Sequence, residues 1–169
     1  SIDQYFDSVH VPFADSEEGK ISSNKAFEIA SGNLNISKNH LRKIYYDVYK
    51  KNFIQNKSLL RRVFELKSKG YLIAILSDQV PFSKEAMMPK ETYKNFDVVV
   101  VSCDEKVRKP SPESYKLVLK KLKLEPKETL FIDNREWNTG PAKKLGMKTI
   151  LFKNNKQLFK DKQWKGLFE

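Results

Sequence analysis

The stretch LFIDNREWNTGPAKKLGMKTILF, residues 130–152, opens and closes with a short apolar run of the kind typical of buried parallel strands. The segment between the runs predicts a helix over about residues 140–145 that ends at Gly146. The first run stops at the polar pair Asp133-Asn134, where a sheet should meet solvent. A carboxylate has few structural uses there apart from capping the next helix, so Asp133 is a candidate for chemistry.

The rest of the second half of the chain repeats this alternation. YLIAIL (71–76) and FDVVVVS (96–102) predict two more buried strands, besides those at 129–133 and 148–152. Helices are predicted from Ser58 to Lys69, which stops before Gly70, and in SPESYKLVLKKL, where Ser111 is the cap and Pro112 the first helical residue. This alternation predicts an α/β fold with a doubly wound parallel sheet.

The first 55 or so residues show no strand pattern of that quality. Two helices are predicted, one capped by Ser22 and stopped by Gly32, the other capped by Ser37. We therefore predict a helical module at residues 1–56 and an α/β core at residues 57–169.

Composition limits the function classes. The single cysteine, Cys103, cannot form an internal disulfide or a cysteine metal cluster, and no apolar run is long enough to span a membrane, so a cytoplasmic location is expected. The net charge of +11 raises the question of nucleic acid, but the lysines are scattered over predicted outer helix faces without interleaved aromatic residues. Nucleic acid is therefore an unlikely partner, whereas a small anionic substrate would be attracted.

Polar side chains follow three of the predicted strands. Because ligands bind outside the carboxyl ends of strands in open α/β sheets, these side chains are expected to converge. Ser77 can donate its hydroxyl to a phosphate oxygen, Lys109 can neutralise phosphate charge, and Asp133 suits Mg²⁺. Each has an ordinary alternative: Ser77 as a turn residue, Lys109 as a surface lysine and Asp133 as a helix cap.

The three segments AILSDQ, VRKPSPESY and LFIDNREWNTGPAKKLGMKTILF resemble, in this order, motifs II, III and IV of the haloacid dehalogenase-like (HAD) hydrolases. The chain is most similar to the phosphatase-like members with a helical cap, a group that includes the N-terminal phosphatase domain of soluble epoxide hydrolase. Residues 1–55, with EEGKISSNKAF, resemble the cap.

The resemblance implies an aspartyl-phosphate mechanism, in which a motif I Asp attacks phosphorus and a second Asp acts as general acid and base. It assigns Ser77 and Lys109 to the phosphoryl group as catalytic and substrate-binding residues, with Asp78 beside them. Asp133 and Asn134 would hold Mg²⁺, and Asn138 would order the loop after the metal site.

Motif I itself is not recognisable. The only candidate, YFDSVHVPF, places Asp7 in the nucleophile's position but has Val9 where the second Asp should stand. In the family's fold the motif I strand lies between the strands that end at Ser77 and Asp133. We therefore expect a missing N-terminal segment or partner strand to fill this gap, and the nucleophile of this chain stays unknown. The chain alone is expected to be inactive.

Two further residues depart from the family pattern. Asp78 stands where Asn is common, and its carboxylate would repel phosphate unless it points away. Asn134 stands where a second metal-binding Asp is frequent, which would weaken Mg²⁺ binding. The dehalogenase branch of the family lacks the metal, so Asp133 argues against that branch. Trp137 is a residue type seen in that branch, but it is more simply interpreted as an aromatic side chain that packs beside the core.

Three functions follow from these observations. The preferred one is a Mg²⁺-dependent phosphatase acting on a small phosphorylated metabolite. The alternative is a catalytically inactive domain that binds a phosphorylated ligand or a protein partner, and the third, supported only by charge, is a nucleic-acid-associated protein.

Overall fold

A computed structural model describes residues 12–52, 54–80, 83 and 90–169. The candidate nucleophile Asp7 and its neighbour Val9 lie outside the described residues. Residues 12–17 are helical. The helices that follow are α1 (Ser23–Leu34), α2 (Lys38–Asn52), α3 (Lys57–Ser68), α4 (Lys90–Tyr93), α5 (Ser102–Glu105), α6 (Pro112–Leu122), α7 (Glu136–Lys144), α8 (Asn155–Leu158) and α9 (Lys162–Lys165). The strands are β1 (Ala74–Ser77), β2 (Val98–Val101), β3 (Leu130–Asp133) and β4 (Lys148–Leu151), with a 3₁₀ turn at Pro126–Glu128.

The alternation of strands and helices confirms the predicted α/β class. Strand β3 pairs in parallel with β4, with Leu130 opposite Lys148 and Asp133 opposite Leu151. Strand β1 pairs with β2, so the strands of the described residues form two two-stranded sheets. Along the chain, α7 lies between β3 and β4, as a crossover connection between parallel strands requires, and α4 lies between β1 and β2.

Several predicted helix boundaries are confirmed, and the misplaced ones have local causes. Ser22 accepts the backbone N–H of Lys25, as a capping serine should. The predicted stop at Gly32 was wrong by two residues, because α1 runs on to Leu34 and Asn35 takes the left-handed conformation that closes it. Helix α7 begins at Glu136, earlier than predicted, because Asn138 and Thr139 donate their backbone N–H groups to the Arg135 carbonyl.

Contacts divide the chain into two compact units. The first comprises residues 1–55, 77–94 and 101–108, and the second comprises residues 56–76, 95–100 and 109–169. One division falls at the predicted boundary near residue 56, but the first unit also takes in two segments from the second half of the chain. The assignment of a cap and a core stays a prediction.

Each unit has its own apolar core. In the first unit, Phe13, Phe27 and Tyr45 contact one another through ring faces and edges, with centroids 4.9–5.4 Å apart. The second unit has two clusters. One is centred on Ile150, Leu158 and Trp164. The other is centred on Tyr115, Leu119, Ala142 and Met147, and Leu76 and Phe131 pack against it.

None of the helices that the structure describes is long and apolar enough to cross a membrane. The cytoplasmic location stays a prediction.

Candidate functional site

The second unit brings together Lys109 and Asp133, two of the residues selected from the sequence. The Lys109 Nζ atom lies 2.9 Å from Asp133 Oδ2, and the two side chains are only 10% and 8% exposed. Burying an ammonium and a carboxylate is costly unless each is paired. Lys109 is therefore not the surface lysine of the ordinary alternative, and the two charges form a partly buried ion pair.

The ammonium also connects two strands. Lys109 Nζ donates to the carbonyl oxygen of Leu76, near the carboxyl end of β1, at 3.1 Å. Asp133 is the last residue of β3, so one cation touches the carboxyl ends of both strands. The ring centroid of Phe131 lies 6.0 Å from Nζ, which places an aromatic ring beside the charge.

Hydrogen bonds from neighbouring backbone and side-chain groups fix the Asp133 carboxylate. Its Oδ1 atom accepts the backbone N–H of Arg135 at 2.8 Å and the side-chain amide of Asn138 at 3.1 Å. The hydroxyl of Tyr115, a fully buried residue of α6, donates to the Asn138 carbonyl at 2.8 Å. This chain of contacts holds the start of α7 against β3 and orients the carboxylate.

These contacts show whether Asp133 caps the helix that follows it. The carboxylate does bind the turn before α7, through Arg135, but that uses one oxygen while the other faces Lys109. The capping interpretation is therefore confirmed for one oxygen, and the role of Asp133 as a metal ligand stays a prediction. The side-chain amide of Asn138 joins the carboxylate to α7, and its role in ordering the loop after a metal site stays a prediction.

The donor set allows only part of a magnesium site. Mg²⁺ is usually held by one or two carboxylates together with waters and substrate phosphates. Asp133 fits as one such ligand. Within the described ranges, no group of three or more His, Cys, Asp or Glu side chains could hold a metal ion. Asn134 is exposed, and its role as a metal ligand stays a prediction.

Ser77 ends β1 and belongs to the first unit. Its Oγ atom accepts the side-chain amide of Gln79 at 2.8 Å. The Gln79 amide also lies 3.4 Å from the Tyr93 hydroxyl. Asp78 is half-buried, and its role beside the substrate stays a prediction.

Sequence reasoning missed two residues, Tyr115 and Gln79, and predicted the wrong environment for a third, Trp137. Tyr115 lies on the buried face of its helix, and a buried tyrosine hydroxyl needs a partner, a requirement that could have identified it. Gln79 gave no signal beyond its place two residues after Ser77. Trp137 does not pack in a core: it is 61% exposed and lies 5.2 Å from the Arg135 guanidinium.

Comparison with known proteins identifies the family to which this sequence is similar. Residues 25–146 match the family model of the haloacid dehalogenase-like hydrolases. Over 104 residues, 59% of this chain, the sequence is 35% identical to bifunctional epoxide hydrolase 2 of Sus scrofa, of which the match covers 19%. It is 34% identical over 111 residues, 64% of this chain, to a glyceraldehyde 3-phosphate phosphatase of Pyrococcus furiosus, of which the match covers 45%. The chain thus spans less than half the length of these curated relatives.

Solved structures share the fold. A HAD-family enzyme of Bacteroides thetaiotaomicron, crystallised as a magnesium complex, superposes with a TM-score of 0.74 at 23% identity, over 95% of this chain and 84% of that one. Another structure of that enzyme, an Asp-to-Ala variant with magnesium and inorganic phosphate, gives a TM-score of 0.70 at 25% identity, over 93% and 80% of the two chains. The matched family model covers more than half of the sequence, and the chain belongs to the haloacid dehalogenase-like hydrolases.

Proposed function

We propose that this chain is part of a Mg²⁺-dependent phosphatase that hydrolyses a small phosphorylated metabolite. The observation that carries the proposal is the Lys109–Asp133 pair, a buried cation held at the carboxyl ends of β1 and β3. A preorganised positive charge in a site of low water content stabilises the charge that develops on a transferred phosphoryl group. Phosphatase activity is named for the relatives from Pyrococcus furiosus and Pyrococcus abyssi.

In the proposed reaction, an aspartate outside the described residues attacks phosphorus. A bond forms from its carboxylate to phosphorus as the ester P–O bond breaks, and the leaving oxygen takes a proton from the family's second aspartate, which later takes one from the attacking water. Water then attacks the phosphorus of the aspartyl phosphate, which releases inorganic phosphate and restores the carboxylate. Lys109 would face the equatorial oxygens in both steps, and Ser77 would donate its hydroxyl to one of them.

Magnesium is part of the proposal through Asp133, which supplies one ligand oxygen. When bound, the ion would neutralise phosphate charge. Its remaining ligands would come from water, from phosphate and from a segment outside the described residues. The same segment would supply the nucleophile and a strand, because β1 and β3 each pair with only one neighbour within the described part of the chain.

The test is hydrolysis of p-nitrophenyl phosphate with and without Mg²⁺, by the chain alone and by the chain joined to an upstream strand that carries the family's Asp-x-Asp motif. We expect turnover only in the extended protein, and a loss of about 100-fold or more in Lys109→Ala, as for other removed transition-state donors. Lys120→Ala, an exposed lysine of α6, is the matched control and should keep its activity. Turnover no higher than that of Lys109→Ala would refute the proposal.

The second candidate is a catalytically inactive member that binds a phosphorylated ligand or a protein partner. Asn134 favours it, because an amide stands where a second metal-binding carboxylate is frequent in the family. This candidate predicts an upstream coding sequence without the Asp-x-Asp motif. It also predicts binding of inorganic phosphate without turnover in any extended form.

A further inference from the structure

Gln79 is a buried amide in direct contact with the hydroxyl of Ser77. Its residue is 5% exposed, and its Nε2 atom lies 2.8 Å from Ser77 Oγ. Burial of an amide is unfavourable unless its polar atoms are paired, so this contact is one that the fold has to preserve.

The backbone of Gln79 is fixed independently of its side chain. Its N–H donates to the hydroxyl oxygen of Ser102 at 3.0 Å, and its carbonyl accepts from the same hydroxyl at 3.3 Å. Ser102, the first residue of α5, directly follows β2 and is completely buried. One serine therefore bonds both backbone groups of Gln79 and fixes the point from which its side chain reaches Ser77.

The direction of the Gln79 contact determines what Ser77 can do. A serine hydroxyl has one hydrogen to donate and two lone pairs that accept. The amide N–H of Gln79 occupies a lone pair of Ser77 Oγ, so the hydroxyl hydrogen must point to another acceptor. An anionic phosphate oxygen is such an acceptor, and hydrogen bonds to it are strong.

We propose that Gln79 is a positioning residue for anion binding: it holds the Ser77 hydroxyl as a donor toward a phosphate oxygen. This inference rests on the proposed function, because it assumes that Ser77 contacts the phosphoryl group. Gln79 itself does not touch the ligand, and its effect is transmitted through Ser77.

The experiment is a double-mutant cycle on the dissociation constant of inorganic phosphate, measured with the full chain by ³¹P line broadening. Ser77→Ala should weaken binding about tenfold, since it removes one hydrogen bond to a charged group. Gln79→Met, of similar length, should weaken binding about three- to tenfold when Ser77 is present. In the Ser77→Ala background the same change should have less than a twofold effect. Gln163→Met, which removes another side-chain amide bond (Nε2 to the Thr149 carbonyl, 3.3 Å), is the matched control and should bind like the wild type.

The outcomes separate this inference from the proposed function. A Gln79→Met effect that is absent, or equal in both backgrounds, would assign Gln79 a structural role and overturn the inference while leaving phosphate binding intact. No phosphate binding by the wild type, or none lost in Ser77→Ala, would overturn the role of Ser77 in the proposed function and the inference with it. Gln79→Glu is the second variant: its carboxylate would accept the Ser77 hydrogen and repel phosphate, so its loss should exceed that of Gln79→Met, and a smaller loss would contradict the donor geometry.

Discussion

Two lysine–aspartate pairs in the second unit have nearly the same contacts and different surroundings. Lys109 lies 2.9 Å from Asp133, and Lys67 lies 2.8 Å from Asp97. Each lysine also donates to a backbone carbonyl, that of Leu76 or of Asn95. Each aspartate also accepts a backbone N–H, Asp133 from Arg135 at 2.8 Å and Asp97 from Ile73 at 2.9 Å.

Burial separates the two pairs. The side chains of Lys67 and Asp97 are 38% and 27% exposed, against 10% and 8% for Lys109 and Asp133. Asp97 precedes β2 and bonds to the residue before β1, so its pair lies at the amino ends of these strands. A list of contacts therefore does not distinguish the pair at the candidate site from the other pair. Removal from water makes a charge pair energetically demanding, and in parallel sheets the carboxyl ends of strands are where such a pair can meet a ligand.

The largest expected difference is in the free energy of unfolding. Lys109→Met keeps most of the apolar stem but leaves the Asp133 carboxylate buried without its cation, and should cost about 3–5 kcal/mol. Lys67→Met removes an exposed pair and should cost about 1 kcal/mol or less. Urea denaturation of both variants, at the same pH and salt concentration, measures the two losses.

The double variant Lys109→Met/Asp133→Asn tests the cause. With the carboxylate neutralised, most of the loss should be recovered, because the penalty comes from the unpaired charge rather than from the missing contact. Equal losses in Lys109→Met and Lys67→Met would show that burial does not separate the pairs.

A smaller loss of stability is expected from removing the hydrogen bond by which Tyr115 supports Asp133 through Asn138. Tyr115→Phe removes the hydroxyl that donates to the Asn138 carbonyl and leaves that buried acceptor without its partner, at a cost of about 1–2 kcal/mol. The loss should appear in urea denaturation. Tyr71→Phe, an exposed tyrosine of the same unit, is the control and should be near neutral. A Tyr115→Phe variant as stable as the wild type would remove Tyr115 from the support of Asp133.

The smallest effect concerns pH and the exposed pair. The Ile73 N–H, and after it the Lys67 ammonium, hold the pKa of the Asp97 carboxyl below its ordinary value of 3.8. Because the folded pKa is the lower one, the contribution of Asp97 is fully present above about pH 4 and is lost as the pH falls through the folded value. The stability difference between wild type and Asp97→Asn should be below about 1 kcal/mol at pH 6 and shrink toward pH 3. A difference that grows on acidification would contradict this assignment.

The residues of the candidate site could be selected from the sequence because strand ends are visible in it. An apolar run that stops at a polar residue marks both the strand and the position of its last side chain, which is how Ser77 and Asp133 were selected. The pattern marks Lys109 less sharply, because it lies seven residues after the end of the predicted strand at 96–102. Tyr115 and Gln79 were missed because their partners are set by packing, and the partner of Tyr115 lies 23 residues away in the chain.

The sequence by itself determined the α/β class, the family and the candidate side chains, because apolar periodicity, caps and motif order are local properties of the chain. Only the tertiary structure decided which of these charges is removed from water. Lys67 and Lys109 are the same residue type, and nothing local indicates which ammonium becomes buried beside a carboxylate. That depends on how helices α6 and α7 pack around β3, which sets the solvation of each pair and therefore its energy.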